Sequence, residues 1–210
     1  MFNTCINCGN WHDKRVVDPT GPYAICPSCE YAQPFIKFPL FVLTGPSGAG
    51  KSAVTVALMH DLPDFVLLEG DIFWREEFNR PSDNYVDFRN ICLRVAKNIN
   101  QAGKPTVISG TAHPGQYETC PEFCYFDQVY YLALICDEQV LSARLRKRPA
   151  WRQSDSEAFI ASMLNYNQWY KDNAALIEPA VTLIDTTEMT VRETATEVKN
   201  WLYKKQDMLR

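Results

Sequence analysis

The octapeptide Gly45-Pro46-Ser47-Gly48-Ala49-Gly50-Lys51-Ser52 meets every fixed position of the pattern G-x-x-x-x-G-K-[ST]. An apolar run, Phe41-Val42-Leu43-Thr44, leads into it, and a helical pattern beginning at Lys51 leads out. A strand, a glycine-rich turn and a helix start in that order let successive amide N–H groups face inward, with the positive potential of a helix N-terminus behind them. The product is a cradle for polyphosphate. Lys51 is spaced to reach the outer phosphates of a bound ATP, and the Ser52 hydroxyl to ligate a magnesium ion bridging two of their oxygens. The residues from Gly45 to Ser52 are therefore the candidate nucleotide-binding residues.

Around this loop the chain alternates short β-rich apolar runs with longer segments of helical period, the signature of a parallel sheet covered by helices. Strands are expected over 40–43, 65–68, 106–109, 129–134 and 181–184, and helices over 51–60, 85–101, 137–147, 156–173 and 191–204. In the second of these helices Val86, Ile91, Val95, Ala96 and Ile99 lie near i/i+4 spacing, and Gly103 with Pro105 ends it. The fold class is α/β.

Two features point to phosphoryl transfer as the chemistry. The second strand runs into Glu69-Gly70-Asp71-Ile72-Phe73. Ligands of parallel sheets bind at the carboxyl ends of strands, so Asp71 faces the crevice of the phosphate loop, where a carboxylate can take an acceptor proton or hold magnesium-bound water. Further on, Arg144, Arg146, Lys147, Arg148 and Arg152 put five of the 21 basic residues within nine positions. Pro149 stops the helix while the basic run continues, so Arg148 and Arg152 project from a loop. An arginine-bearing lid closing on a transferring phosphate supplies charge stabilisation and excludes water.

Together, the GPSGAGKS strand–loop–helix, Gly70-Asp71-Ile72-Phe73, the RLRKRPAWR segment and the VTLIDT strand before the last helix resemble a P-loop small-molecule kinase over residues 39–205. The likeness is closest to bacterial nucleoside or nucleotide kinases of the nucleoside-monophosphate-kinase type, with shikimate, gluconate and adenylylsulfate kinases similar in layout. The resemblance implies a five-stranded parallel sheet in order 2-3-1-4-5 and an acceptor pocket around Asp71 and the following helix. It also implies lid contacts to ATP from Arg144, Arg148 and Arg152. Arg75 and Arg89 are candidates for gripping an acidic acceptor, with surface ion pairing as the equal alternative. The third strand ends Ser109-Gly110-Thr111 with no acidic residue, so Asp71 is left to serve magnesium. That absence also weakens GTPase and motor-ATPase readings. The alternative of another class is a nucleotide-switched binding protein whose N-terminal module recognises nucleic acid or protein.

That module spans residues 1–38, with the kinase-like region over 39–210. Cys5-x2-Cys8 and Cys26-x2-Cys29 are separated by 17 residues, the spacing of a four-cysteine structural zinc site. Gly9 and Pro27 suit the tight turns that aim two thiolates at one ion, and the segment has too little core to fold without metal. Three roles are open to this ribbon: packing against the core, pairing two chains into a homodimer, or touching nucleic acid. Cys92 and Cys136 sit in apolar elements as core residues, and Cys120 and Cys124 form at best a weak second pair. A net charge of −4 argues against a global grip on nucleic acid or anionic lipid. No apolar run approaches the length of a membrane span, and the N-terminus lacks the pattern of a secretion signal, so a cytoplasmic location is expected.

Overall fold

The computed structural model describes residues 3–208. Residues 16–34 form a small antiparallel sheet of β1 (Val16–Val17), β2 (Tyr23–Ile25) and β3 (Ala32–Pro34). The main sheet follows, built from β4 (Leu40–Thr44), β5 (Val66–Glu69), β6 (Thr106–Ser109), β7 (Val129–Ile135) and β8 (Val181–Asp185). Its strands are all parallel, in the order β5-β6-β4-β7-β8, which is the 2-3-1-4-5 order implied by the kinase resemblance. The helices are α1 (Lys51–Leu58), α2 (Val86–Asn100), α3 (Glu138–Arg146), α4 (Glu157–Asn173) and α5 (Val191–Asp207). The first four lie within two residues of their expected spans and α5 runs three residues past its expected end, and the starts of α3 and α5 are set by local chemistry. Asp137 caps α3 by accepting from the Gln139 and Val140 amides, and a Thr190/Glu193 capping box starts α5.

β4 is the central strand, and all five of its residues are buried because helices cover both faces. Leu40 and Val42 turn toward the layer that contains Cys92, Leu93 and Ala96 of α2 and Tyr166 and Tyr170 of α4. Phe41 and Leu43 turn the other way, against Val54 and Leu58 of α1 and Val198, Trp201 and Leu202 of α5. Each buried side chain of this size contributes about 2 kcal/mol of transfer free energy, so the strand carrying the phosphate loop is firmly anchored. Cys92 and Cys136 are fully buried, as expected of core residues, whereas Cys120 is buried and Cys124 exposed. Among the described residues, no helix is long and apolar enough to cross a membrane.

The N-terminal sheet is not free of the core. Ala24 and Phe35 belong to the same buried cluster as Leu40, Val42 and Tyr131, and Ile36 exchanges two backbone hydrogen bonds with the Gln101 side chain. Within it, two equivalent turns hold the cysteine pairs: the Gly9 amide donates to the Cys5 carbonyl, and the Glu30 amide to the Cys26 carbonyl, both at 2.9 Å. Each turn places its closing residue in the left-handed region, at φ 75 for Gly9 and φ 59 for Glu30. Glycine accepts that conformation freely, whereas a residue with a Cβ loses roughly 1–2 kcal/mol there. Glu30→Gly is expected to stabilise the metal-loaded chain by about 0.5–1 kcal/mol in thermal unfolding; an unchanged or lowered midpoint would contradict the strain argument.

Candidate functional site

The phosphate loop is formed by backbone conformations that glycine alone supplies without cost. Gly45, Gly48 and Gly50 have φ 125, 90 and 105. At Gly45 a Cβ would lie 2.2 Å from the Leu134 carbonyl oxygen of β7, so the loop leaves β4 pressed against its neighbour strand. Gly50 caps α1 in the left-handed region. Lys51 begins α1 and folds back, its Nζ donating to the Gly45 and Pro46 carbonyls at 2.7 and 3.0 Å. Burial lowers the Lys51 ammonium to about 8, with Asp71 opposing and Arg148 adding to the shift.

Loop and α1 form one wall of a cavity of about 400 Å³. Opposite them stand Glu69 and Asp71 from the end of β5, Ser109 to Thr111 after β6, and Arg144, Arg148 and Arg152 around the end of α3. Ser52 also lines it. Arg144 is held by two hydrogen bonds to Thr186, to the hydroxyl at 3.0 Å and the carbonyl at 2.9 Å, which ties α3 to the turn after β8. Arg152 lies in a short 3-10 turn over the exposed Trp151 ring, at 4.6 Å from its centroid. Burial and the charge of Arg152 lower the Arg148 guanidinium, while Asp71 acts in the opposite direction. Arg146, in contrast, pairs with Glu157 at 2.8 Å on the surface.

A second cavity of about 640 Å³ adjoins the first, and Asp71, Gly110 and Thr111 line both. Its walls are aromatic: Trp74, Tyr85 and Phe88 on one side, and His113, Tyr166 and Trp169 on the other. Trp74 meets Phe88 edge-on at 5.2 Å, and His113 is 4.4 and 4.6 Å from Tyr166 and Trp169. Burial, then the Arg89 charge, lowers the His113 imidazole, so the neutral ring is favoured. Tyr117 also lines this cavity, whereas Glu118 instead accepts from Tyr131 at 2.7 Å.

Arg89 is buried in this cavity's wall. One of its terminal nitrogens donates to Gln116, and the guanidinium lies over the Tyr85 ring, 5.6 Å from its centroid. The other, NH1, is buried with no partner. Gln116 is itself engaged on both sides, since it also accepts from the His113 amide and donates to Asn84. A buried guanidinium with an open N–H is costly unless an acceptor group meets it. Arg75 has a different setting: it lines neither cavity, and its exposed guanidinium stands 3.8 Å from Glu77.

The sequence reading passed over several of these residues. Glu69 is the last residue of β5 and lies in register with Ser109 of β6, so a carboxylate stands one strand away from the acidic position that β6 lacks. Its signal was its place two residues before Asp71 at a strand end. His113 and Tyr117 follow the third strand closely enough to be placed near the pocket from sequence, whereas Gln116, Tyr85, Phe88, Tyr166 and Trp169 gave no signal, because tertiary packing alone gathers them from the start of α2, the 111–117 segment and α4.

Sγ of Cys5 lies 3.7 Å from Sγ of Cys29, and Sγ of Cys8 lies 3.8 Å from that of Cys26. All four sulfurs fall within 4.8 Å of one another. A tetrahedral site with metal–sulfur bonds of about 2.3 Å has sulfur–sulfur edges of about 3.8 Å, so these thiols fit a closed four-sulfur site and are too far apart for disulfides. Among the described residues this is the one convergent group of potential metal ligands.

A family model described as an AAA domain matches residues 40–172, well over half of the chain. Comparison with curated proteins finds no match. Solved structures with similar folds include a gluconokinase from Sinorhizobium meliloti 1021, with TM-score 0.59, 19% identity, and coverage of 83% of this chain and 97% of that one. A sugar kinase from Janibacter sp. HTCC2649 has TM-score 0.57 and 17% identity, covering 79% of this chain and 94% of that one. The tunicamycin resistance protein of Deinococcus radiodurans has TM-score 0.56 and 15% identity, covering 79% and 96%. At such identities the likeness is one of fold. With its phosphate loop, its strand order and the match over residues 40–172, the chain belongs to the AAA-domain family and has the fold of P-loop small-molecule kinases.

Proposed function

We propose that this chain is an ATP- and magnesium-dependent phosphotransferase that moves the γ-phosphoryl group onto a hydroxyl of a small acceptor, a nucleoside or nucleotide. The observation that carries the reading is that Asp71 borders both cavities, so one carboxylate faces the phosphate cradle on one side and an aromatic-walled chamber on the other. A hydrolytic switch has no use for the second chamber. Aromatic walls suit a planar base, and the open N–H of Arg89 suits an acceptor oxygen or an anionic group on it.

In this reading the loop amides and Lys51 hold the β- and γ-phosphates, and the Ser52 hydroxyl takes part in holding magnesium, with Glu69 and Asp71 as the nearby carboxylates. Magnesium held there would supply charge neutralisation to the phosphates. Asp71 accepts the proton of the acceptor hydroxyl as its oxygen bonds to the γ-phosphorus. The bond from that phosphorus to the bridging oxygen breaks, and ADP leaves with the electron pair. Arg144, Arg148 and Arg152 stabilise the charge on the transferring group and close over it against water. Arg89 orients the acceptor. Arg75, exposed beside Glu77, is assigned to surface ion pairing in this scheme. The four thiolates hold a structural Zn²⁺ with no open coordination position.

The decisive test is a panel of nucleosides, nucleoside monophosphates and sugar acids assayed with ATP for ADP release. One acceptor class is expected to raise the rate well above the water background, and a panel with no such acceptor would overturn the reading. Lys51→Ala is expected to lower turnover by at least about 10²-fold without unfolding the chain, and wild-type turnover would remove the site assignment.

The lowered Lys51 ammonium gives pH effects of opposite sign on binding and on stability. As pH rises through about 8 the folded ligand-free protein loses the Lys51 proton, so ATP affinity is expected to fall above that pH. An unfolded lysine keeps its proton to about 10.4, so the unfolded chain binds more protons between these values and Lys51 adds stability as pH rises across the window. Calorimetric titration of wild type against Lys51→Met checks the first effect, which is absent if both lose affinity in parallel. Elemental analysis is expected to find about one zinc per chain; none in freshly purified, unchelated protein would contradict the four-thiolate assignment.

A further inference from the structure

The four-thiol module docks on the part of the molecule that carries the aromatic cavity, through contacts that include the following three. Arg94 of α2 donates to Asp13 at 2.9 Å. Gln101, just past the end of α2, donates to the Ile36 carbonyl at 2.9 Å and accepts from the Ile36 amide at 2.8 Å. Phe35 packs edge-on against Tyr125, with ring centroids 5.5 Å apart, inside the main buried cluster.

The two segments touched in this way supply part of the cavity's wall, beside Asp71 and Trp74 after β5 and Tyr166 and Trp169 of α4. The start of α2 supplies Tyr85, Phe88 and Arg89, and the segment leading to Tyr125 supplies His113, Gln116 and Tyr117. Behind the cavity Glu122 fastens them together. It accepts from Arg94 at 3.1 Å and from the buried Lys97 at 2.6 Å, and its amide donates to Asn90 at 3.3 Å. The Arg94 guanidinium thus bridges a carboxylate of the thiol module and a carboxylate of the cavity's supporting segment. The hydrogen bonds and ion pairs described between residues 3–38 and the core end on α2 or near 125–128, and none of them touches the phosphate loop, α1 or α3.

We infer that the four-thiol module is a positioning element for the aromatic cavity: through Asp13–Arg94, Ile36–Gln101 and Phe35–Tyr125 it fixes α2 and the 111–125 segment, and with them Arg89 and Gln116. Occupancy of the thiol site then sets acceptor affinity while leaving the nucleotide side unchanged. The inference rests on the reading of that cavity as the acceptor site. Its physical basis is that so short a segment folds only when its thiolates hold metal, so metal loss removes all three docking contacts together. Arg94 then keeps one carboxylate partner instead of two, and Phe35 leaves the core. Orientation of an acceptor is sensitive to displacements near 1 Å, whereas the phosphate loop is held by the sheet itself.

The test uses the full chain carrying Asp13→Ala together with Gln101→Ala, two substitutions outside both the cavities and the thiol cluster. Zinc content is expected to stay at the wild-type value. Amide hydrogen exchange over 84–100 and 111–125 is expected to accelerate about tenfold, while exchange over 45–58 and 138–152 stays as in wild type. Removal of metal from wild type by a chelator is expected to give the same pattern more strongly. With the acceptor identified by the panel above, its KM is expected to rise about three- to tenfold at unchanged nucleotide KM. Unaltered exchange over 84–100, equal acceleration over all four segments, or equal increases in both KM values would overturn the inference. A panel without any acceptor would overturn the kinase reading alone, and the exchange pattern would still decide whether the module positions the cavity.

Discussion

The two halves of the site are joined through one buried hydroxyl. Thr44, the last residue of β4, donates to the Ala112 carbonyl at 2.8 Å and accepts from the Ala112 amide at 3.0 Å. Tyr170 of α4 donates to the same carbonyl at 2.6 Å, and Tyr166 stands 2.9 Å from the Tyr170 hydroxyl. All of these groups are out of water, so removing one leaves its partner unsatisfied at about 1–3 kcal/mol. The strand that ends in the phosphate loop is therefore locked to the segment that starts the aromatic cavity and to the helix that walls it. The proposed transfer would need donor and acceptor atoms held within a few tenths of an ångström, and this knot fixes the distance between the two cavities.

The legible parts of the sequence were those whose chemistry is local. The phosphate loop announces itself because its glycines must take positive φ and because Lys51 and Ser52 must follow directly. The cysteine pairs do so because a tetrahedral ion demands close sulfurs on tight turns. Strands such as β4 read clearly since a both-sides-buried strand is uniformly apolar. Strand order was less local and came through family resemblance. Arg75 and Arg89 show the limit of linear reading. The two arginines looked alike in sequence, yet α2 buries one under Tyr85 and leaves the other in solvent beside Glu77. Glu69 was likewise invisible as a site residue until the β5–β6 register set it beside Ser109.

Net charge also hid what matters. The chain is acidic overall, but Arg144, Arg148, Arg152 and Lys51 face one cavity with Glu69 and Asp71. Coulomb interactions among exposed charges fade within about 8–10 Å in salt, so the local arrangement, and not the total, sets the field inside this cavity. The lowered ammonium of Lys51 is one result: burial and Arg148 disfavour its charge, and the two carboxylates only partly restore it.

The aromatic cavity contrasts with the phosphate loop in how it is held. Between β5 and α2 the chain passes through three short 3-10 turns, and residues 76–83 contribute no buried side chain. What keeps this segment over the cavity is a set of ring contacts, Trp74 and Phe78 against Phe88, together with the Asn84–Gln116 hydrogen bond. Such contacts are each worth about 1 kcal/mol and can exchange partners without breaking a sheet. A planar ligand entering between Trp74 and Trp169 would add stacking surface on both sides and an acceptor for Arg89, so its binding energy is available to order the turn as Asp71 meets the hydroxyl. On the proposed reading, a rigid phosphate loop fixed by β4 faces a wall that the acceptor would complete. On the inference drawn above, the docked four-thiol module buttresses α2 and the 111–125 segment, alongside the supports that α4 and the end of β5 give the same cavity.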